Sequence, residues 1–197
     1  MNTNQSGDRC RPVGPTAVLV LGLASGLALD TATSAEVVIE FDGMHLYERV
    51  TRNYESTAFW NAPKRFGGQL TSAGALTFND GAYHSFCIEL KQPATVNPVE
   101  YDLVAFSDLP GRTYQRSLVL SSLFEQYYED IMINESDAKA SAFAMMTWEI
   151  MLEGFSFIPG SMFSEISLDA GAVQFSDVST EAAAWYREMG ENLYVAA

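Results

Sequence analysis

The sequence predicts an α+β fold, in which a β-rich, sandwich-like or barrel-like framework carries two inserted, packed helices and a further helix near the C-terminus. Alternating and β-branched segments fill residues 36–101, which is typical of strands. Beyond Pro110 and Gly111 the apolar residues recur at the spacing of an amphipathic helix. Strands come first and helices come late, so the pattern does not match the alternating β and α units of a parallel sheet.

The first two strands are predicted from apolar runs on either side of a turn. Residues 37–41 are rich in β-branched side chains and stop at Asp42 and Gly43, a pair typical of turns. Residues 44–50 then alternate between apolar and polar types. This pattern predicts two short strands joined at Asp42 and Gly43.

A hairpin is predicted further along the β-rich region. Residues 75–78 run into Asn79-Asp80-Gly81, and we expect that turn to pair them with a strand at residues 83–90. Residues 61–74 contain Pro63 and several glycines, which indicates a long loop or an irregular edge. One more strand is expected around residues 100–104.

Two consecutive helices are predicted from the change in period. The first covers about residues 113–133, where apolar residues are spaced three and four apart. The second begins at Ser136 or Asp137 and stops near Gly154. Since the second helix is alanine-rich and apolar on most sides, we expect it to be central.

The C-terminal part predicts one strand and one helix. Residues 163–168 alternate as a strand does, and a helix begins near Ser179 and ends at Gly190.

The N-terminal 35 residues read as a secretory signal peptide, which leaves residues 36–197 as a single extracytoplasmic domain. Arg9 and Arg11 precede an apolar core of roughly 13 to 15 residues, which is shorter than the roughly 20 needed to span a membrane. Small residues at Thr33 and Ala35 predict cleavage after Ala35. We therefore expect a secreted or cell-surface protein with no membrane span in its mature part.

The charge of the chain limits its partners. The formal net charge is −14, and the carboxylates are scattered rather than clustered in a run. Nucleic acid and anionic lipid would repel such a surface. The sequence therefore predicts no nucleic-acid partner and leaves an unknown protein or glycan at a surface or matrix.

The search for catalytic chemistry finds no recognisable constellation. The only histidines, His45 and His84, are far apart in sequence, so we expect no metal and no cofactor. Cys87 is the one cysteine left after signal removal, and it is interpreted as a buried core residue, an intermolecular bridge or a candidate reactive thiol. His84 should point away from Cys87 on a strand, and His45 beside Cys87 is a geometrical possibility only.

Two further groups of side chains are candidates for function. Glu149 and Glu153 lie four apart on a predicted helix, where a shared face would let one carboxylate raise the pKa of the other; solvation or a bond to a neighbouring loop is the simpler interpretation. Tyr54, Phe59 and Trp60 lie in a predicted loop and are candidate ligand contacts for a sugar or a protein, or fold back on the core.

Several motifs occur in an order that resembles a known family. They are Phe-Cys-Ile-Glu-Leu at residues 86–90, the helix at 120–128, Ala-Phe-Ala-Met-Met-Thr-Trp-Glu-Ile at 142–150, residues 159–163 and the helix around 182–185. Together they resemble the thioester (TQXA) domains of bacterial surface proteins, in particular exported relatives associated with PEP-CTERM sorting. The resemblance covers about residues 66–185, and it implies the fold and an extracellular setting.

The resemblance also implies a covalent chemistry that this chain lacks. In the family, a Cys and a Gln four residues before the helix Trp form an internal thioester. Cys87 matches the Cys, but Ala144 stands four residues before Trp148. Gln115 or Gln126 could replace the missing Gln only if the fold placed one of them beside Cys87. Residues 192–197 lack the Pro-Glu-Pro motif of the sorted relatives, so we expect no anchoring by that route.

The sequence therefore favours an exported, thioester-domain-like surface or matrix module that has lost the cross-link and has a non-covalent adhesive or structural role. Two alternatives stay open. One is a secreted hydrolase that uses Glu149 and Glu153 or Cys87, and the other is a carbohydrate-binding module that uses Trp60.

Overall fold

The computed structural model describes residues 35–56, 64–88, 98–103, 114–153 and 166–196, and it confirms a mixed α+β architecture. The elements in chain order are β1 (Ala35–Ile39), β2 (Phe41–Ser56), β3 (Lys64–Phe78), β4 (Tyr83–Phe86), β5 (Val99–Leu103), α1 (Tyr114–Asn134), α2 (Asp137–Leu152), β6 (Val173–Ser176) and α3 (Thr180–Ala196).

The strands form two antiparallel sheets. The main sheet has four strands in the order β4-β3-β2-β6, and the second pairs β1 with β5. Since β4 and β6 are edges of the main sheet, this sheet does not close on itself.

The turn between β3 and β4 lies where the sequence predicts it. Asn79 and Asp80 adopt φ of 53° and 55°, the left-handed geometry that tight hairpin turns require. The side-chain oxygen of Asn79 accepts a bond from Glu40 N at 2.7 Å, and its amide donates to Val38 O at 3.2 Å. One turn residue therefore also holds the end of β1 against the main sheet.

Two predictions about the β-rich region are wrong. Asp42 and Gly43 do not form a turn between strands, because they lie inside β2 at a register shift. The loop or irregular edge expected at residues 61–74 is, from Lys64 onward, the inner strand β3, while residues 61–63 lie outside the described residues. Gly74 explains part of the error, since it lies opposite a second register shift in β2, where a side chain would collide with the backbone of Leu46 and Tyr47.

The helices agree with the sequence more closely. The predicted start of α2 is confirmed, because Ser136 caps it and its hydroxyl accepts a bond from Lys139 N at 3.2 Å. Helix α1 lies within one residue of the predicted bounds. Helix α3, in contrast, continues past Gly190 to Ala196. Gly190 is buried against Ile166 and Met146, so it serves close packing rather than helix termination.

The C-terminal strand also covers different residues from those predicted. Of the predicted strand at 163–168, residues 163–165 lie outside the described residues and 166–168 are not in a strand. The strand that joins the sheet is β6, which the sequence analysis did not predict. Strand β4 ends at Phe86, earlier than the predicted residue 90.

Helix α2 is the centre of the core, as predicted. Every residue from Ala138 to Met151 is buried, because the sheet, α1 and α3 all pack on this helix. The main core also contains an aromatic cluster in which Phe86 contacts Phe124, Tyr128 and Phe143. This cluster attaches β4 to both α1 and α2.

Candidate functional site

The candidate site lies where the end of β4 meets the middle of α2. Cys87 directly follows β4 and is half-buried. The indole Nε1–H of Trp148 donates to the carbonyl oxygen of Cys87 at 2.7 Å. One residue earlier, the ring of Phe86 lies 4.3 Å from that of Phe143 between centroids. These contacts bring together two of the motifs in the proposed family pattern.

Ala144 lies on the same part of α2. It follows Phe143 and precedes Trp148 by about one helical turn, so it shares the face that carries Trp148. Its side chain is fully buried. This face of α2 therefore has a methyl group where the family pattern has a carboxamide.

The other candidate acyl donors face solvent on α1. Gln126 is exposed, and its side-chain amide donates to Ser122 Oγ at 2.8 Å. Gln115, near the start of α1, is exposed as well. Gln126 is thus bonded within α1, and neither exposed glutamine has a described contact with Cys87.

His45 and His84 form a pair that the sequence analysis missed. Their rings stack with centroids 4.9 Å apart and planes within 9°. Burial, and then the charge of His45, lower the pKa of His84. Among the described residues, Nδ1 of His84 is buried without a hydrogen-bond partner. The sequence spacing does not indicate this contact, because His45 lies on β2 and His84 on β4, and β3 lies between these two strands in the sheet.

Glu149 and Glu153 form an internal polar cluster. Glu149 is 0% exposed and Glu153 is 8% exposed. The hydroxyl of Tyr186 in α3 donates to Glu149 Oε1 at 2.6 Å, while Oε2 is buried with no partner among the described residues. Burial raises the pKa of Glu149 to about 9, the bond from Tyr186 opposes this shift, and the charge of Glu153 adds to it.

Glu153 holds the first residue of β6. Its Oε1 accepts a bond from Val173 N at 2.8 Å. On the other side, the guanidinium of Arg116 donates to Met151 O at 2.5 Å and also to Glu153 O. Glu153 is therefore bonded to a neighbouring segment, but to the start of a strand rather than to a loop, and Glu149 is not solvated. Since Glu149 is fully buried, no substrate touches its carboxyl in this conformation.

Two other predictions fall partly or wholly outside the described residues. Phe59 and Trp60 are among the residues that the structure does not describe, and Tyr54 is placed in β2 opposite Phe66 and Val173. The ligand contacts at Tyr54, Phe59 and Trp60 therefore stay a prediction. The signal peptide is also a prediction, because residues 1–34 lie outside the described range.

Within the described residues, no group of three or more His, Cys, Asp or Glu side chains is arranged to hold a metal ion. In the same part of the chain, no helix has the length and apolar character needed to cross a membrane. Comparison with known protein families, with curated proteins and with solved structures found no match.

Proposed function

We propose that this chain is an exported surface or matrix module of the thioester-domain type that has lost its cross-link and contacts a protein or glycan non-covalently. The observation that carries the proposal is the junction of β4 and α2. There Trp148 holds the Cys87 carbonyl, and Ala144 lies one turn before Trp148. The family resemblance assigns the thioester to these two positions, and it would also give the β framework a sandwich-like form.

The chemistry of the junction explains why the role would be non-covalent. A thioester forms when the cysteine sulfur attacks the carbonyl carbon of a glutamine side chain and ammonia leaves. Ala144 has no such carbonyl, and Gln126 is bonded to Ser122 on exposed α1. Cys87 therefore keeps its thiol, and binding must rest on surface contacts.

Restoring the glutamine provides a direct test. Ala144→Gln should produce a fraction of protein whose intact mass is lower by one ammonia and whose Cys87 is alkylated in the native state only after methylamine is added. The matched control is Ala144→Gln with Cys87→Ala, which has the same added bulk but cannot form the bond. The wild type should show no ammonia loss.

Two results would contradict the proposal. Ammonia loss in the wild type would mean that another glutamine reaches Cys87 and that the cross-link is not lost. A folded Ala144→Gln variant without ammonia loss would show that the junction lacks the family geometry. Because Ala144 is fully buried, thermal unfolding should first establish that the variant folds.

The export part of the proposal needs its own measurement. The intact mass of the protein recovered outside the cells should correspond to a chain that begins at Glu36. Protein that stays inside the cells would exclude a surface or matrix role, and an exported chain that keeps residues 1–35 would contradict cleavage after Ala35.

A further inference from the structure

The contact between Glu149 and Tyr186 lies inside the interface of α2 and α3. Both side chains are buried, at 0% and 3% exposure. Tyr186 belongs to the buried side of α3 together with Ala182, Met189 and Leu193. A carboxyl group in such surroundings is costly to ionise unless its oxygens are bonded and its charge is matched.

Among the described residues, the groups around Glu149 do not balance a negative charge. From α3, Tyr186 donates one hydrogen bond, and burial together with Glu149 raises the pKa of its own hydroxyl, which therefore stays protonated. Glu153, which directly follows α2, adds a second acidic group.

Two arginines on described elements that pack against α2 donate to other acceptors. Arg116 of α1 donates to the carbonyl oxygens of Met151 and Glu153. Arg52 of β2 donates to Gln69 Oε1 at 3.3 Å. Strand β6 contributes the buried apolar side chains of Val173 and Phe175 to the same core. Neither oxygen of Glu149 accepts a bond from a described cation, and Oε2 accepts none from any described group.

We propose that Glu149 is a proton-operated latch between α2 and α3, closed while its carboxyl carries a proton and released when the carboxyl ionises. The uncharged carboxyl accepts the bond from Tyr186 at Oε1 and tolerates the apolar surroundings of Oε2. Ionisation places a negative charge on Glu149 beside Glu153. Among the described residues, only Tyr186 donates a hydrogen bond to that charge. Moving α3 away admits water to that charge, so the contact between α2 and α3 is the part of the fold that responds first. This inference does not depend on the proposed function.

The direction of the pH dependence follows from linkage. The pKa of Glu149 is about 9 in the folded protein, compared with 4.5 for an ordinary Glu. The folded state therefore holds a proton that the unfolded state releases. The stabilisation is fully present below the unfolded pKa and is lost as pH rises through the folded pKa. Within that window, each pH unit raises the unfolding equilibrium constant by about tenfold through this group.

Urea unfolding of the full chain and of Glu149→Gln tests the latch. Gln keeps an oxygen for Tyr186 but cannot ionise. The ratio of the wild-type to the variant unfolding constant should rise by about 100-fold from pH 6 to pH 8. The matched control is Glu191→Gln, which makes the same change at an exposed residue of α3. A pH-independent ratio for Glu149→Gln would overturn the proposal.

A spectroscopic measurement on the wild type keeps the proposal testable if Glu149→Gln does not fold. At pH 7 the infrared spectrum in D₂O should contain the carbonyl stretch of one protonated carboxylic acid, and this band should vanish as pH passes 9. Backbone hydrogen exchange, corrected for its intrinsic pH dependence, should then increase first in α3. Absence of the band at pH 7, or loss of protection in α1 and α2 before α3, would overturn the latch.

Discussion

Trp148 joins α2 to the residue that follows β4, because its indole N–H donates to the carbonyl oxygen of Cys87 at 2.7 Å. Strand β4 ends at Phe86, so this bond fixes the chain at the point where it leaves the sheet. A side chain of the central helix thus supplies a donor that a neighbouring strand would otherwise provide.

Replacing Trp148 with Phe should expose the thiol of Cys87. The variant keeps an aromatic ring but removes the donor, and the resulting loss of stability should be about 1–3 kcal/mol. Urea unfolding measures that loss, and native alkylation of Cys87 should become faster. Trp185→Phe, in a half-buried tryptophan of α3, should leave the alkylation rate unchanged. Equal rates in wild type and Trp148→Phe would show that the bond does not restrain Cys87.

Gly74→Ala should destabilise the sheet strongly. The added methyl group would collide with the carbonyl oxygen of Leu46 and with Tyr47, and backbone atoms cannot rotate out of the way. We expect a loss of about 3 kcal/mol or more. In Gly81→Ala, the new side chain has no neighbour within 4 Å and only the φ of 82° is unfavourable, so a loss of about 1 kcal/mol should result. Similar losses from chemical unfolding of both variants would contradict the close approach at Gly74.

Gly171 and Glu153 should be energetically coupled. A methyl group on Gly171 would lie 2.8 Å from Cδ of Glu153, and the φ of 100° is itself unfavourable for alanine. Gly171→Ala should therefore cost about 2 kcal/mol or more in the wild type. It should cost less when Glu153 is already alanine, because the collision is gone and only the backbone strain remains. A double-mutant cycle by urea unfolding gives the coupling, and additive losses would rule out the contact.

His84 should titrate below its ordinary pKa of 6.5, because burial and His45 both disfavour its charged form. The unfolded state then takes up a proton first, so this group contributes stability above pH 6.5 that is lost as pH falls through the folded pKa. Imidazole signals in an NMR titration measure the shift directly, since the chain has two histidines. His45→Phe keeps a ring in the stack and removes the neighbouring charge, so the pKa of His84 should rise. An unchanged pKa would show that His45 has no electrostatic effect.

The helices were predictable because their signals are local. Ser136 precedes α2 with a side chain suited to capping, and the apolar spacing of α1 extends over several turns. The central position of α2 also followed from its composition. Gly190 gave the wrong end for α3, since a glycine that packs against Ile166 has the same sequence signature as one that terminates a helix.

The missed features depend on contacts between distant segments. In the sequence, the glycines of residues 61–74 indicate a loop. Only the pairing of the strands shows that β2 shifts register opposite Gly74. Predicting the stacking of His45 on His84 also requires the register of the strands. For Glu149 and Glu153, spacing placed both on one helix. The spacing could not show that α3 and β6 would bury these two residues. Burial is the main cause of the raised pKa of Glu149.

Strand β2 pairs along its length with β3, which follows it directly, and at Thr51–Tyr54 with β6, which comes after both α1 and α2. The first pairing is local and can form early, while the second closes a very long loop and carries a large entropic barrier. Assembly of the main sheet therefore cannot finish until nearly the whole polypeptide is available. Until β6 has been made, the segment Thr51–Tyr54 of β2 has β3 as a neighbour on one side and lacks its second strand on the other.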